Sequence, residues 1–548
     1  MAPRPCWINP AGIGGRYGRF PLPGEIQSWQ LTVYEKTATP LWFGGGVVYQ
    51  IFPDRFCRLS LPDPTGLVGN RWVHENWNDQ PVWAPDPDGE VRNRDFFGGS
   101  LNGITAKLDD LAALGVTVLY LNPIFESASN HRYNTADYLH IDPMLGTEED
   151  FRRLCREAKE RGIRMILDGV FNHTGSQSRY FNADGFYPGV GAAQSTDSPY
   201  FNWFSFHPWP TDYDAWWGIM TLPAVQENEP DYRDFIIRGQ DSVVRHWLRA
   251  GASGWRLDVA DELPDDFIAE IRTAMEETAP DSFLLGEVWE DATTKVAYSQ
   301  RRRYLLGHEL HGVMNYPFRT ALIAYLRGGN ADDFRETLEA LRENYPPEAF
   351  LSIHHGCRIA VVFLGTHDTP RILTVLGADN VPDSKADRAA YRLSPTQRQI
   401  GLERLRLAAL ILFTFPGAPT VYYGDEAAME GWEDPFNRAG YPWEQEDTDL
   451  KAHFAELARF RRSFPALQAG VLHWIWTSGP LLIFARELDG QLLTTVVNAA
   501  DVSQALSLPW SAPPARDLLT GQRFIPTDNA IPLTLPPRSG WLLQTDLP

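Results

Sequence analysis

Apolar runs of strand length alternate with amphipathic stretches along most of this chain. The runs lie at residues 47–52, 116–121, 164–171, 254–259, 282–288, 310–316, 359–366 and 419–424. Continuous apolar runs are typical of strands that are buried on both faces of a parallel sheet. Helical patterns at 101–115 and 234–251 lie between them and end near a glycine, which favours helix termination. Eight strands alternating with helices predict an α/β fold, a (β/α)8 TIM barrel.

Two parts of the chain depart from this alternation. About sixty residues after the third run are rich in Gly, Pro, Ser, Asn and aromatics, which is too long for an ordinary loop. We therefore predict an inserted domain B at 174–232, within a catalytic barrel at 46–465. After residue 465 the helical patterns stop, and short alternating segments predict a C-terminal antiparallel β-sandwich at 466–548.

Four predicted strands continue directly into polar side chains. The segments are DGVFNH (168–173), GWRLDVADE (254–262), GEVWE (286–290) and FLGTHD (363–368). Three of them carry a carboxylate where the strand should end, namely Asp258, Glu287 and Asp368. A lone Asp after a strand is often a helix N-cap. Because the carboxyl ends of barrel strands meet at one face, where catalytic groups lie, the set predicts one active site.

Taken together, these segments resemble the signature regions of the α-amylase superfamily, glycoside hydrolase family 13. VYQIFPDRF at the first strand, YNTADYLHIDPMLGT after the second and YYGDE at the eighth extend the resemblance from Val47 to the C-terminus. Within the family, VADE (259–262), MTLPAV (220–225) and VMNYPF (313–318) are similar to the neopullulanase, cyclomaltodextrinase and maltogenic amylase group.

The resemblance implies a retaining α-glucan hydrolase that cleaves α-1,4 bonds of maltodextrins, cyclodextrins or pullulan. Asp258 would be the nucleophile, Glu287 the general acid and then base, and Asp368 the carboxylate that stabilises the transition state. Adjacent strands lie about 5 Å apart, which matches the close carboxyl spacing of retaining enzymes. Arg256 points to the same side of its strand as Asp258, and we expect it to keep that carboxylate ionised.

Further side chains are candidates for substrate binding. The resemblance implies that His173 and His367 bind hydroxyls and that Tyr133 stacks under the sugar. The remaining candidates are Arg256, Glu262 and Tyr316, although a solvated helix start explains Glu262 equally well. We expect Asp168 to be a buried, hydrogen-bonded carboxylate beneath the site.

Two departures from the family pattern concern the N-terminus and calcium. Residues 1–45 resemble only the end of the N-terminal β-sandwich of neopullulanase-type enzymes, so the oligomeric state and a preference for cyclodextrins stay open. Ser100 stands in FFGGSL where related enzymes have an Asp ligand, and the loop DRFCRLSLPDP lacks the clustered oxygen ligands that calcium requires. We expect no calcium there and no required cofactor; Asn172, Asp86 and Asp95 are the alternative ligands.

Composition limits the kinds of molecule that this chain is expected to bind. A formal net charge of −21 over 548 residues, without a basic run, argues against nucleic acid. Nineteen Trp residues supply flat rings for sugars, and the candidates in loops are Trp203, Trp209, Trp216 and Trp217. The sequence lacks a signal-peptide pattern and a membrane-spanning run, and Cys6, Cys57, Cys155 and Cys357 lie far apart. We therefore expect free thiols and a cytoplasmic enzyme.

The sequence leaves other functions open. An endo-α-amylase, an α-glucosidase and a transglycosylase share the same carboxylates. The insert loops decide among these activities, and the sequence does not fix the shape of those loops. A catalytically silent barrel that binds glucan is the non-enzymatic alternative, and the intact carboxylates weigh against it.

Overall fold

The computed structural model describes residues 39–343 and 359–545, together with a backbone hairpin formed by Asn9–Pro10 and Gly18–Arg19. Most of the predicted N-terminal segment, Cys6 and Cys357 lie outside the described residues. The boundaries proposed for the domains at 46, 174, 232 and 466 stay predictions.

Eight parallel strands close into a barrel, which confirms the predicted fold and all eight predicted strands. They are β1 Val48–Ile51, β2 Val118–Leu121, β3 Arg164–Gly169, β4 Gly254–Leu257, β5 Phe283–Gly286, β6 Gly312–Met314, β7 Ile359–Phe363 and β8 Ala418–Tyr422. Each strand pairs with the next along the chain, and β8 pairs with β1 to close the ring. Alternate residues such as Tyr120, Ile166 and Phe363 fill the interior, because successive side chains of a strand point to opposite faces.

Helices surround the barrel and form its connections. They span Leu41–Gly44, Leu101–Ala106, Leu108–Ala113, Glu148–Glu160, Pro230–Arg233, Val243–Ala250, Asp265–Thr278, Tyr316–Leu326, Ala331–Glu343, Ile372–Gly377, Lys385–Ala390, Pro395–Thr414, Thr448–Ser463 and Pro465–Ala469. In the described part of the chain, no helix is long and apolar enough to cross a membrane.

Both helices predicted from the pattern are interrupted. The first divides at Lys107, whose φ of −107° and ψ of 7° are not helical. In the second, a π-helical turn at Asp234–Arg238 is followed by Gly239 with ψ 149°, and a helix resumes at Val243. The apolar face continues across both breaks although φ and ψ leave the helical region, so the amphipathic pattern overstates the length of each helix. The predicted end near Gly251 is confirmed.

The segment after β3 and the C-terminal region lie outside the barrel wall. The former contains the short 3-10 helices Phe201–Trp203 and Trp216–Gly218, and its bridge His173–Ala224 ties it to the end of β3. The C-terminal strands are β9 Val471–Ser478, β10 Leu481–Leu488, β11 Gln491–Asn498, β12 Gln504–Pro509, β13 Ala515–Asp517, β14 Arg523–Phe524, β15 Ala530–Leu535 and β16 Ser539–Thr545. They form two antiparallel sheets that share one apolar core, as predicted.

Candidate active site

Strand register brings Asp258 and Glu287 side by side. Leu257 at the end of β4 pairs with Gly286 at the end of β5, and each carboxylate is the next residue along its strand. Gly286 also lets Leu310 pack against the end of β5, since a Cβ at position 286 would lie 2.3 Å from Leu310 Cδ1. The predicted juxtaposition therefore follows from the parallel pairing of two adjacent strands.

Arg256 joins three carboxylates with one guanidinium. Its Nη1 lies 2.7 Å from Asp258 Oδ1 and 2.8 Å from Asp168 Oδ1, and its Nη2 lies 2.7 Å from Glu287 Oε1. The side chain of Arg256 is 1% exposed and that of Asp258 is 9% exposed. The fork of the guanidinium suits this arrangement, because its donors diverge in one plane.

Burial raises the pKa of Asp258 well above its ordinary value, and Glu287 and Asp168 add to the increase. Arg256 acts in the opposite direction. We expected Arg256 to keep Asp258 ionised; in the structure its one positive charge is shared among three carboxylates, and the ionisation of Asp258 stays a prediction. The net environment of Asp258 is therefore buried and negative.

Asp168 lies beneath this pair and is fully hydrogen-bonded. The hydroxyls of Tyr120 and Tyr133 donate to its Oδ2 at 2.6 Å and 2.8 Å, while Arg256 contacts its Oδ1. This agrees with the buried, hydrogen-bonded carboxylate expected from the sequence.

Val259, the residue after Asp258, has a strained backbone and contacts Glu287. Val259 has φ 41°, in the left-handed region that a β-branched residue rarely adopts. In this conformation its N–H donates to Glu287 Oε2 at 3.0 Å. Glu287 is thus fixed by Arg256 on one oxygen and by a backbone donor on the other.

Asp368 lies in the loop after β7, close enough to Glu287 for the two carboxylates to interact electrostatically, and is 29% exposed. His367 Nε2 lies 3.1 Å from its Oδ2, and Arg438 Nη2 lies 3.5 Å from its Oδ1. Burial and the nearby Glu287 raise the pKa of Asp368 to about 7. Burial lowers the pKa of His367 well below 6.5, and Arg438 adds to that effect, so its imidazole is neutral.

The other predicted binding side chains line the same site. The Tyr133 ring is parallel to the His367 ring at 5.1 Å. His173 Nε2 lies 3.1 Å from the carbonyl oxygen of Tyr133, and burial lowers its pKa to about 4. The Tyr316 hydroxyl donates to Glu287 Oε1 at 3.1 Å, and the Trp289 ring stacks on Tyr316 at 4.4 Å. A neutral imidazole has one donor and one acceptor nitrogen, so such groups are able to bind hydroxyls.

A family model described as the α-amylase catalytic domain matches residues 50–463 of this chain. The chain belongs to the α-amylase family. This confirms the resemblance drawn from the signature segments.

Similarity to individual family members extends beyond the catalytic domain. Neopullulanase 2 of Thermoactinomyces vulgaris is 33% identical, with 93% of this chain and 79% of that protein covered. Amylopullulanase of Thermoanaerobacter thermohydrosulfuricus is 36% identical over 85% of this chain, which spans only 33% of that longer protein. The crystal structure of cyclic α-maltosyl-(1→6)-maltose hydrolase from Arthrobacter globiformis superposes with a TM-score of 0.71 at 31% identity, covering 93% of this chain and all of that one.

The sequence analysis missed several side chains that contact the site, among them Gln50, Tyr120 and Arg438. Gln50 Nε2 contacts His367 Nδ1 at 3.0 Å, Tyr120 binds Asp168, and Arg438 contacts Asp368. Gln50 and Tyr120 lie within apolar strands, and a polar atom inside such a run was the available signal. Arg438 follows β8 in a polar stretch that carries no such signal.

Of the four tryptophans expected to contact substrate, Trp203 does not. It is buried against Tyr180, Tyr200, Tyr232 and Phe235, so the prediction is wrong for this residue. Its ring builds the core of the inserted segment instead. Composition and loop position did not distinguish this ring from exposed ones nearby.

The side chains considered for calcium binding make contacts with other protein groups. Ser100 Oγ caps the helix that begins at Leu101 by accepting from Gly103 N. The Asp95 carboxylate contacts His74 and Arg55, and that of Asp86 contacts Arg92 and Arg94. Asn172 Nδ2 donates to the Asp258 carbonyl oxygen and its Oδ1 contacts His173. Across residues 39–343 and 359–545, no cluster of three His, Cys, Asp or Glu residues that could hold a metal was found. Whether calcium is needed stays a prediction.

Proposed function

We propose that this chain is a retaining α-glucan hydrolase that cleaves α-1,4 bonds of maltodextrins and related oligosaccharides. The observation that carries the proposal is the pair Asp258 and Glu287, which follow adjacent strands and share one guanidinium, with Asp368 near enough to interact with Glu287. Membership of the α-amylase family supports the same chemistry.

In the first step, Asp258 attacks the anomeric carbon while Glu287 donates its proton to the glycosidic oxygen. The bond to the leaving sugar breaks, and a β-glycosyl ester forms on Asp258. Arg256 orients both carboxylates, and the N–H of Val259 holds Glu287 towards the cleaved bond.

In the second step, Glu287 takes a proton from water, which attacks the same carbon and releases Asp258. Two inversions leave the α configuration unchanged. Asp368 and His367 bind ring hydroxyls of the distorted sugar, and Tyr133 stacks beneath it. His173 remains a neutral hydroxyl-binding group at working pH, since burial lowers its pKa to about 4.

The substrates and their location are further parts of the proposal. The names of the relatives support pullulan and small or cyclic maltosyl substrates. Cys57 and Cys155 are free thiols, which supports action in a reducing cytoplasm on imported oligosaccharides. Cell fractionation tests the location, and recovery outside the cytoplasm would contradict it.

Product analysis tests the function. The purified chain is incubated separately with maltoheptaose, β-cyclodextrin, pullulan and soluble starch, and products are separated by chromatography. We expect rapid loss of the small substrates and α-anomeric first products by NMR. Efficient cleavage of starch to long products would favour an endo-α-amylase, release of glucose from chain ends an α-glucosidase, and longer products than substrates a transglycosylase.

Two variants show whether any observed hydrolysis comes from this chain or from a contaminating enzyme. They also help to distinguish an enzyme from a silent barrel that only binds glucan. Glu287→Gln should abolish hydrolysis. Its matched control is Glu290→Gln, at an exposed carboxylate three residues further on that pairs with Lys295. Equal activity of Glu287→Gln and the wild type would contradict the assigned acid, and glucan binding without hydrolysis by the wild type would favour the silent barrel.

A further inference from the structure

Two exposed aromatic side chains from different loops meet at Glu262. The Trp217 ring nitrogen donates to Glu262 Oε1 at 3.4 Å, and the Tyr298 hydroxyl donates to Glu262 Oε2. Trp217 is 75% exposed and Tyr298 is 69% exposed. Each ring therefore presents apolar surface to solvent, while its polar atom is held by one carboxylate.

Both aromatic residues have backbone conformations that such residues rarely adopt. Trp217 has φ 49° and ψ 28°. Tyr298 and Ser299 have φ 51° and φ 63° at the turn of the hairpin formed by Val296–Ala297 and Gln300–Arg301. Bulky residues in the left-handed region are strained, and such strain clusters at binding and catalytic sites. The other large exposed aromatics of the described residues, such as Trp476 on β9, have no positive φ.

These rings continue the proposed active site rather than forming a separate patch. The Trp217 ring stacks on Trp216 at 4.7 Å with an angle of 8°, and Trp216 lies 5.2 Å from the His173 ring. Glu262 is four residues after Asp258, on the turn that follows β4. The surface formed by Trp216, Trp217 and Tyr298 thus begins beside a proposed hydroxyl-binding imidazole and extends outward along the rim.

We propose that Trp217 and Tyr298 form an aromatic subsite for a glucose ring of an α-glucan chain, away from the cleaved bond, and that Glu262 is its positioning residue. The proposal rests on the proposed function. Flat rings contact the apolar C–H faces of a pyranose, and the occupant must be long enough to reach from His173 past Trp216. Glu262 fixes the two rings in one orientation, so less conformational entropy is lost when sugar binds.

The kinetic test compares a long substrate with a short one. For Trp217→Ala, we expect the ratio of kcat/KM for maltoheptaose to that for maltotriose to fall about tenfold, through KM, with kcat for maltoheptaose retained. Trp217→Phe should restore most of the ratio because it keeps a flat ring. Trp476→Ala, at a 41% exposed tryptophan of the C-terminal sheet, is the matched control.

The role of Glu262 is tested through the rings that it holds. Tyr298→Phe keeps the ring and removes its bond to Glu262, and should raise KM for maltoheptaose less than Tyr298→Ala does. Glu262→Ala should lower the ratio, and adding it to Trp217→Ala should cause little further loss, because contacting residues are not additive. Full additivity would contradict the positioning role.

A binding measurement separates this proposal from the proposed function. Calorimetry compares maltoheptaose binding to Glu287→Gln and to Glu287→Gln with Trp217→Ala. Weaker binding by the double variant supports the subsite, even if the wild-type chain hydrolyses none of the test glucans. Equal binding, or an equal loss of activity on both substrate lengths, would overturn it.

Discussion

Replacing Arg256 by methionine tests the electrostatics of the candidate site. The change keeps the length of the side chain and removes the charge that three carboxylates share. Two unit charges about 4 Å apart interact by about 4 kcal/mol at an effective dielectric constant of about 20, which corresponds to about 3 pH units for a titrating group. Solvent screens this pair little, since Arg256 and Asp258 are 1% and 9% exposed.

The direction of the effect follows from the role of Asp258. Its pKa is already raised by burial, and Arg256 opposes that increase, so losing Arg256 raises it further. Only the ionised carboxylate attacks the sugar. We therefore expect the acidic limb of kcat/KM to move to higher pH by up to about 3 units, and the neutral-pH value to fall by up to about a thousandfold.

The assay is the pH dependence of kcat/KM for maltoheptaose from about pH 4 to about pH 9, which reports ionisations of the free enzyme. Arg461→Met is the matched control, because Arg461 is equally buried but, within the part of the chain that the structure describes, its side chain binds only backbone carbonyls, including those of Gly44 and Phe415. It should lower the melting temperature and leave the acidic limb in place. If Arg256→Met folds poorly, Arg256→Lys keeps the charge and should shift the limb less. An unmoved limb in the Arg256 variants would refute the reasoning.

Three other predictions concern single side chains. The raised pKa of Asp368, about 7 against an ordinary 3.8, means that the wild type loses stability as the pH rises between these values. Asp368→Asn should therefore have a higher melting temperature than the wild type near pH 8. A lower melting temperature there would contradict the shift. Tyr316→Phe removes a donor 3.1 Å from Glu287 and should lower kcat/KM roughly tenfold without loss of stability, whereas an unchanged rate would show that the contact is dispensable. Burial raises the pKa of Cys155 to about 12 and also raises that of Cys57. A chain with Cys6→Ser and Cys357→Ser should therefore react with a thiol reagent at about pH 8 only after denaturation. Rapid reaction of the folded chain would disprove this.

The barrel was predictable because its signal is local. A parallel strand buried on both faces must be a continuous apolar run, and each of the eight runs contains a strand. A carboxylate that ends such a run stands out, as Asp258 and Glu287 do. Their positions after paired residues then follow from barrel geometry alone.

Helix ends and side-chain burial were less predictable. The helical pattern continues across Lys107 and Gly239, although the backbone does not, because periodicity records which face is apolar and not whether φ and ψ stay helical. Trp203 and Trp217 lie in the same polar, aromatic insert, yet one is buried and the other exposed. Only the packing of the whole insert decides between them.

The contacts of the rim were the least predictable part of the candidate site. Arg438 meets Asp368 across seventy residues, and Tyr298 meets Glu262 across thirty-six, between loops without periodicity. In the proposed mechanism, the carboxylates at the strand ends act alike on any α-1,4 glucan, whereas discrimination between glucans requires only a few kcal/mol of transition-state binding. We propose that contacts at the rim supply this difference. Chain-length preference should therefore change with Trp217 and Tyr298 while the strand ends stay the same.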